Sequence, residues 1–287
     1  MARVLRALVV VVLVLATGCV TARNYADPRQ RVTHGTAYAL TNREVRVDAG
    51  AVGTELADVG ANIDVAAGFG RGGQVSTNLA HLGLGLVNAA VKYTALDRPW
   101  FGLGVEGSFL WTRPSLIWLL PDEVAEPLAG IDLFIIPVKL TASFPVANWA
   151  SFHLGVGYTH AEIRGELRGD SGFFEAGVGA RTIQLDPTLH LYLNRRAALL
   201  FGGNIPVFMT AAERIESDIE VTPGVVLGVR SAEWVRVPTQ GATRGRVGVE
   251  LRFGRRTHLQ VFVARGVLAS ADIGPPVLPS LNLYWRI

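Results

Sequence analysis

Apolar side chains in this chain come in alternation, not in long runs. Of the 287 residues 49% are apolar, yet after residue 18 no uninterrupted apolar stretch approaches the roughly 18 to 20 residues that a membrane-spanning helix needs. Successive residues of a β-strand point to opposite faces of the sheet, so a strand with one apolar face gives an alternating sequence. The sequence therefore predicts an all-β fold built from strands that each have one apolar face.

The alternation is clearest from Arg246 to Phe253, where Arg, Gly and Glu interleave without a break of phase with Val, Leu and Phe. The same pattern is present at 44–51, 62–69, 88–95, 101–111 and 281–287. Around 70–84 and 221–243 the phase is ambiguous. Glycine often occupies the polar side of these strands, which indicates a crowded interior.

Strands of this kind are expected where lipid touches every second side chain, and open sheet edges cannot face lipid. We therefore expect a single closed antiparallel barrel. Trp100 and Trp111 bracket one strand, and eleven residues rise about 28 Å along the membrane normal at a tilt of about 40°. That height fits an apolar band with an aromatic girdle at each edge.

The connections predict how many strands there are. Short turns are predicted at 96–98, 145–149, 194–196 and 254–256, and longer connections at 112–130, 210–220, 231–243 and 267–279. Short turns on one side and long loops on the other are typical of membrane barrels, whose strand number is even. We predict twelve strands, within a range of 10 to 14. The apolar run inside 112–130 is compatible with a surface helix, a plug or an extension of the wall.

The N-terminus has the order of an export signal. Arg3 and Arg6 precede the apolar run of residues 7–15, and small residues lead to Cys19, the only cysteine. We therefore divide the chain into a signal peptide at 1–18, a tether at 19–36 and a barrel domain at 37–287.

The segment Leu15-Ala16-Thr17-Gly18-Cys19 resembles the lipobox of bacterial lipoprotein signals. This resemblance implies cleavage before Cys19, lipidation of its thiol with acyl chains such as palmitate, and sorting to the outer membrane, since Val20 rather than Asp follows it. The alternating body and its last strand, 281–287, resemble the porin-like barrels of Gram-negative outer membranes. The implied partners are outer-membrane lipid and, during biogenesis, the barrel-assembly machinery.

Charged residues of both signs lie opposite the apolar stripe of their strands, and we predict that they line the lumen. They can pair across strands and seal the barrel, or they can line a water-filled path for small solutes; both interpretations stay open. The lumen-lining candidates are Glu44, Arg46, Asp48, Asp64, Lys92, Glu106, Lys139, Glu175, Arg181, Arg246, Glu250, Arg252 and Arg286.

Other chemistry has little support. No basic block or basic-aromatic patch indicates nucleic-acid binding. His153 and His160, with Glu162 nearby, raise the idea of a hydrolytic or metal site, but the sequence shows no nucleophile with its base and no metal-ligand spacing. We expect no enzyme activity, no cofactor and no metal.

Two functions remain in first place: a channel or transport component for small solutes, and a structural envelope protein. The alternative is a lipid-anchored periplasmic β-domain that never spans the membrane and binds an apolar ligand or a protein partner without catalysis.

Overall fold

The computed structural model describes residues 32, 34–51, 61–112, 131–169, 172–222, 225–239, 243–253, 256–267 and 278–287. The predicted signal peptide, Cys19 and most of the connection 112–130 lie outside the described residues. The elements are β1 (Val45–Ala51), β2 (Ala61–Phe69), β3 (Gly73–Asn78), α1 (Leu79–Gly83), β4 (Leu86–Arg98), β5 (Phe101–Thr112), β6 (Ile131–Ala147), β7 (Ala150–Gly169), β8 (Gly172–Tyr192), β9 (Ala197–Thr222), β10 (Val225–Arg236), β11 (Thr243–Phe253), β12 (Thr257–Val267) and β13 (Leu278–Arg286).

The sheet closes on itself as an antiparallel barrel of twelve strands, as predicted. Each strand from β1 to β8 pairs with the next, β8 pairs with β9, β9 with β11, and β11, β12 and β13 lead back to β1. The remaining strand, β10, is not counted in the ring of twelve. It pairs with the second part of β9, so β10 and β11 lie one after the other along the same edge of β9. Among the described residues, every strand except β10 is paired on both sides, as a sheet in lipid requires, and β10 pairs with β9 alone.

Strand β9 is longer than the sequence indicated. Its first part, Ala197–Asn204, pairs with β11, and its second part, Thr210–Thr222, pairs with β10. The predicted long connection at 210–220 is therefore wrong. Charged residues at 213, 214 and 216 break the alternation there, because this hairpin extends past the apolar band and needs no apolar face.

The two ends of the barrel differ. Short connections follow β2, β4, β6, β8 and β11, and the start of β1 and the end of β13 lie at the same end. The other end has the longer connections that follow β1, β5 and β12 and the one that contains α1 between β3 and β4, and the long hairpins β7–β8 and β9–β10 also extend toward this end. The ambiguous stretch at 70–84 is a tight glycine turn, a short strand and this helix; Gly70 and Gly72 have φ of +57° and +94°, which glycine adopts without strain.

The outer face carries an apolar band. Among the described residues, no helix is long and apolar enough to cross a membrane. The outward large apolar side chains that remain exposed include Ile63, Val75, Val91, Tyr93, Val105, Phe109, Val138, Leu140, Phe144, Val156, Tyr158, Ile183, Val247, Val263 and Leu281. Trp100 lies in the turn at one end of β5 and is 71% exposed, whereas Trp111 lies near the other end. A closed barrel with this band is a membrane-spanning barrel of the outer-membrane type.

The inner face is not empty. Residues 32 and 34–44, called the plug segment below, lie across the lumen close to the short-turn end. Val32, Ala37, Tyr38 and Leu40 are all at most 3% exposed, although no strand includes them. Part of the predicted tether, 32 and 34–36, is thus inside the barrel.

Candidate functional site

The strand register decides which predicted residues face the lumen. Arg46, Asp48, Asp64, Lys92, Glu106, Lys139, Arg246, Glu250, Arg252 and Arg286 share the inward face, because they alternate with the outward apolar residues of their strands. Glu44 precedes β1 and pairs with Arg286 at the short-turn end. Arg181 differs, since its side chain lies on the outer face beside Trp234. The side chain of Glu175 is outside the described set.

The plug segment is held by hydrogen bonds from its backbone to polar wall side chains. The Ala37 N–H donates to Ser143 Oγ at 2.8 Å, and the Leu40 N–H donates to Gln74 Oε1 at 3.1 Å. Thr94 Oγ1 accepts from the Ala39 N–H at 2.8 Å and donates to the Ala37 carbonyl at 3.0 Å. Buried backbone groups need such partners, so these side chains on β3, β4 and β6 form a built seat for the segment.

Wall glycines give the segment room. A Cβ on Gly104 would lie 2.3 Å from the Ala37 carbonyl oxygen, and one on Gly68 would lie 2.1 Å from the Thr41 carbonyl oxygen. Both contacts are with backbone, which cannot rotate out of the way. Some of the inward glycines that the sequence marked as relieving crowding, Gly68 and Gly104 among them, therefore make room for this segment.

A second contact ties the segment to the opposite wall. His34 Nε2 lies 3.4 Å from Asp48 Oδ1, and the His34 ring meets the Tyr284 ring edge-on with centroids 5.1 Å apart. Asp48 is also held by Arg46 at 2.6 Å. Val32 packs in an apolar cluster with Tyr38, Tyr192 and others near the β8–β9 turn. Contacts on all sides show that the segment spans the lumen.

Above the plug segment lies a cavity of about 340 Å³. It extends from the segment toward the long-loop end, where Asn62, Asn78 and Leu110 line it. Its lining includes cations, carboxylates, amides and hydroxyls. The lining residues used below are Asp64, Lys92, Glu106, Leu110, Ile135 and Lys139.

Two cations at the cavity are paired with carboxylates on other strands. Lys139 Nζ lies 2.6 Å from Asp186 Oδ2, and Lys92 Nζ lies 3.7 Å from Glu106 Oε2. Asn62 donates to Asp64 at 3.0 Å. Pairing offsets the cost of burying these ions, and the cavity still presents groups of both signs to a solute.

His153 and His160 do not form one site. The odd-numbered residues of β7 face inward and the even-numbered ones outward. His153 is fully buried between Ser143 (2.7 Å) and Ser151 (2.9 Å), and Ser151 also meets the Tyr192 hydroxyl at 3.1 Å. Since Ser143 holds the Ala37 N–H, the His153 network supports the seat of the plug segment. Among the residues that the structure describes, no group of His, Cys, Asp and Glu is placed to hold a metal ion.

Sequence reasoning missed the plug segment. Residues 32–44 have no periodic apolar pattern. The side chains that accept hydrogen bonds from the backbone of the segment are distant in sequence: Ser143 is 106 residues from its donor, Thr94 is 55 and Gln74 is 34. The available signal was the row of glycines on the inward faces of β2 and β5, which shows where backbone approaches backbone.

The sequence matches no protein-family model and no curated protein. Among solved structures the chain is similar to the P. putida toluene transporter TodX, with 12% identity, a TM-score of 0.44 and coverage of 94% of this chain and 77% of that chain. It is similar to the copper transporter OprC with 13% identity, a TM-score of 0.38 and coverage of 86% of this chain but 43% of that chain. The CymD monoaromatic hydrocarbon channel gives 8% identity, a TM-score of 0.35 and coverage of 92% of both chains. Likenesses this low carry no argument about a transported solute.

Proposed function

We propose that this chain is an outer-membrane transport barrel that admits small polar or charged solutes to its lumen from the long-loop side. The plug segment restricts passage at the short-turn end. The observation that carries this proposal is the charged cavity of about 340 Å³, enclosed by a barrel with an apolar outer band and floored by a segment seated through hydrogen bonds.

Orientation follows from the two ends. Outer-membrane barrels keep short turns in the periplasm and long loops outside. Both described ends of the chain's barrel, Val45 and Arg286, lie at the short-turn end. In this orientation the cavity faces the exterior and the plug segment faces the periplasm.

A lipid anchor is compatible with this arrangement. Cys19 and Val32 are separated by a stretch that reaches at most about 45 Å when extended. That length suffices for a lipidated Cys19 in the inner leaflet of the outer membrane while Val32 stays in the lumen. The anchor would then hold the chain just upstream of the plug segment.

The outward apolar side chains argue against the alternative of a periplasmic β-domain with an apolar interior. Such a domain would bury its apolar face and show its charges to water. Here the reverse holds. Val105 is 42% exposed on the outer face, whereas the next residue, Glu106, faces inward together with its cross-strand partner Lys139.

Planar-bilayer conductance of the full-length protein tests the proposal. The decisive variants are Gly104→Val, which places a side chain where the Ala37 backbone lies, and a deletion of residues 32–43. We expect low conductance from the parent and clearly higher conductance from both variants, because each removes the segment from the lumen. Gly107→Val is the matched control, since a Cβ at Gly107 meets nothing within 4 Å; it should conduct like the parent.

The same experiment decides between transport and a purely structural role. If the deletion variant folds, as shown by heat-modifiable migration on gels, yet seals the bilayer like the parent, the barrel has no path and the structural role stands. If the parent conducts as well as the deletion variant, the plug segment does not restrict passage.

A second candidate is passage of small apolar solutes. It is favoured by one observation: Leu110 and Ile135, partners across β5 and β6, both line the cavity and are 8% and 5% exposed. Solute-uptake assays with vesicles separate the candidates. Faster uptake of a small aromatic hydrocarbon without faster uptake of a small sugar would favour the apolar route.

A further inference from the structure

The outer face changes character toward the long-loop end. On β7 the outward residues from Phe152 to Tyr158 are apolar or aromatic, and the next three are His160, Glu162 and Arg164. On β8 the outward residues from Leu191 to Ile183 are apolar, and Arg181 follows. Ten residues from the short turn rise about 25 Å at a tilt of about 40°, so His160 and Arg181 lie at the far edge of the apolar band.

Around that edge the side chains form one connected cluster. The Arg181 guanidinium lies 3.8 Å from the centre of the Trp234 ring. Trp234 packs against the wall because Gly179 has no side chain; a Cβ there would lie 2.8 Å from the indole. His160 lies between Trp234 and Phe134, with ring centroids 6.3 and 6.5 Å away. The aromatic rings therefore hold Arg181 in place.

A cleft adjoins this cluster. It has a volume of about 290 Å³ and is lined by Trp111, Asp132, Phe134, Glu162 and Arg164. Here Arg164 Nη2 forms an ion pair with Glu162 Oε1 at 2.8 Å, and the Asp132 carboxylate accepts a hydrogen bond from Trp111 Nε1 at 2.8 Å. By contrast, no carboxylate among the described residues forms an ion pair with Arg181.

We propose that Arg181 and Trp234 bind the anionic, phosphate-bearing headgroup of a lipid in the outer leaflet. The guanidinium offers paired N–H donors to phosphate oxygens, and its stacking on Trp234 fixes their direction. The acyl chains of the same lipid would lie along the apolar outward residues below, such as Tyr158 and Ile183. The cleft beside Glu162 and Arg164 gives room for the remaining polar part of the headgroup.

Native mass spectrometry of the full-length protein, titrated with phosphatidylglycerol, tests this proposal. A basic residue near an anionic membrane surface contributes enough attraction to change lipid affinity about fivefold. We expect Arg181→Gln to weaken binding of the first lipid by about that factor, and Trp234→Ala to weaken it as well. Arg181→Lys keeps the charge and loses the stacked fork, so it should fall between the parent and Arg181→Gln.

Arg195→Gln is the matched control, because it removes one exposed arginine from the turn at the other end of the β8–β9 hairpin. Equal weakening by Arg195→Gln and Arg181→Gln would overturn the proposal, as would no weakening by Arg181→Gln. The last measurement is a competition between inorganic phosphate and the bound lipid. If phosphate alone displaces the lipid at comparable concentration, the site takes free phosphate and the lipid assignment falls; if it does not, the acyl chains contribute and the assignment holds.

Heat-modifiable migration of every variant confirms that the barrel has folded. The outcome is independent of conductance, so a failure here leaves the proposed transport role unaffected.

Discussion

Glu44 and Arg286 close the barrel at the level of single residues. Glu44 precedes β1, Arg286 ends β13, and Arg286 Nε donates to Glu44 Oε1 at 2.5 Å across 242 residues of sequence. Glu44 also accepts from the N–H and the hydroxyl of Thr41, at 2.9 Å each. One carboxylate therefore joins the first strand, the last strand and the end of the plug segment.

The charge of this carboxylate makes stability depend on pH. Burial by itself raises the pKa of Glu44, but the hydrogen bond and charge of Arg286, with the bonds from Thr41, outweigh it and leave the pKa below its ordinary value of 4.5. A group with a lowered folded-state pKa contributes stability above its unfolded pKa and loses that contribution as pH falls through the folded value. This contribution is therefore fully present at neutral pH and is lost in acid below 4.5.

We predict that Glu44→Gln lowers the free energy of unfolding by about 1–3 kcal/mol at about pH 7, since it removes the charge from buried hydrogen bonds. In acid, where the parent carboxyl is protonated, the difference between parent and variant should shrink. Urea unfolding in detergent at both pH values measures it. Glu213→Gln, at an exposed carboxylate of β9, should change stability little; a pH-independent loss in Glu44→Gln would contradict the role of the charge.

Most of the residues that face inward could be predicted from the sequence, because strict alternation assigns each residue of a strand to one of its two faces. Arg181 is an exception. Assigning faces from alternation assumes that polar side chains point inward, and this holds only where the outer face of the barrel is in lipid. Past the apolar band both faces meet polar surroundings, so the pattern no longer tells inside from outside.

At the scale of elements, one ion pair bridges three strands. Lys139 on β6 reaches Asp186 on β8 across β7, and it passes over Gly155, where a Cβ would lie 2.5 Å from Lys139 Cε. Asp186 also accepts from Asn204 on β9 at 3.1 Å. The ion pair and the Asn204 hydrogen bond thus connect four neighbouring strands, β6 to β9. The ion pair can form only because Gly155 has no side chain.

We predict that Lys139→Met and Asp186→Leu each destabilise the barrel by about 2 kcal/mol or more, because each leaves a largely buried charge without its partner. The double variant should lie much closer to the parent than the sum of the two single losses. Urea unfolding of the four proteins measures the coupling. Additive losses would show that the two side chains act independently and that the bridge adds nothing.

The elements themselves divide by how regular their surroundings are. β1, β5 and β11 were predicted within a few residues, since one face of each touches lipid and the other the lumen throughout. β3 and α1 were not predicted from the sequence, because the six residues of β3 give too short an alternation. The plug segment has no regular hydrogen bonding of its own, and its position depends on seats built by distant strands.

At the scale of the whole molecule, the distribution of side chains is inverted relative to that of a water-soluble protein. Apolar side chains face outward around the ring, and paired ions with the plug segment fill the inside. Composition and alternation were enough to predict a closed barrel, because lipid contact imposes the same two-residue period on every strand, and the predicted connections gave the count of twelve. Whether the lumen was occupied could not be predicted, since a seated segment of irregular backbone has no period to detect.

The most direct test of this inversion is lipid quenching along β5. Cys19 is the only cysteine, so single cysteines at 105 to 109 in a Cys19→Ala background can be labelled one by one with a fluorophore. In vesicles containing spin-labelled lipid, we predict quenching at 105, 107 and 109 and protection at 106 and 108. Quenching at 106 and 108 instead, or exposure of all five positions to an aqueous quencher, would contradict a lipid-facing apolar band around a polar lumen.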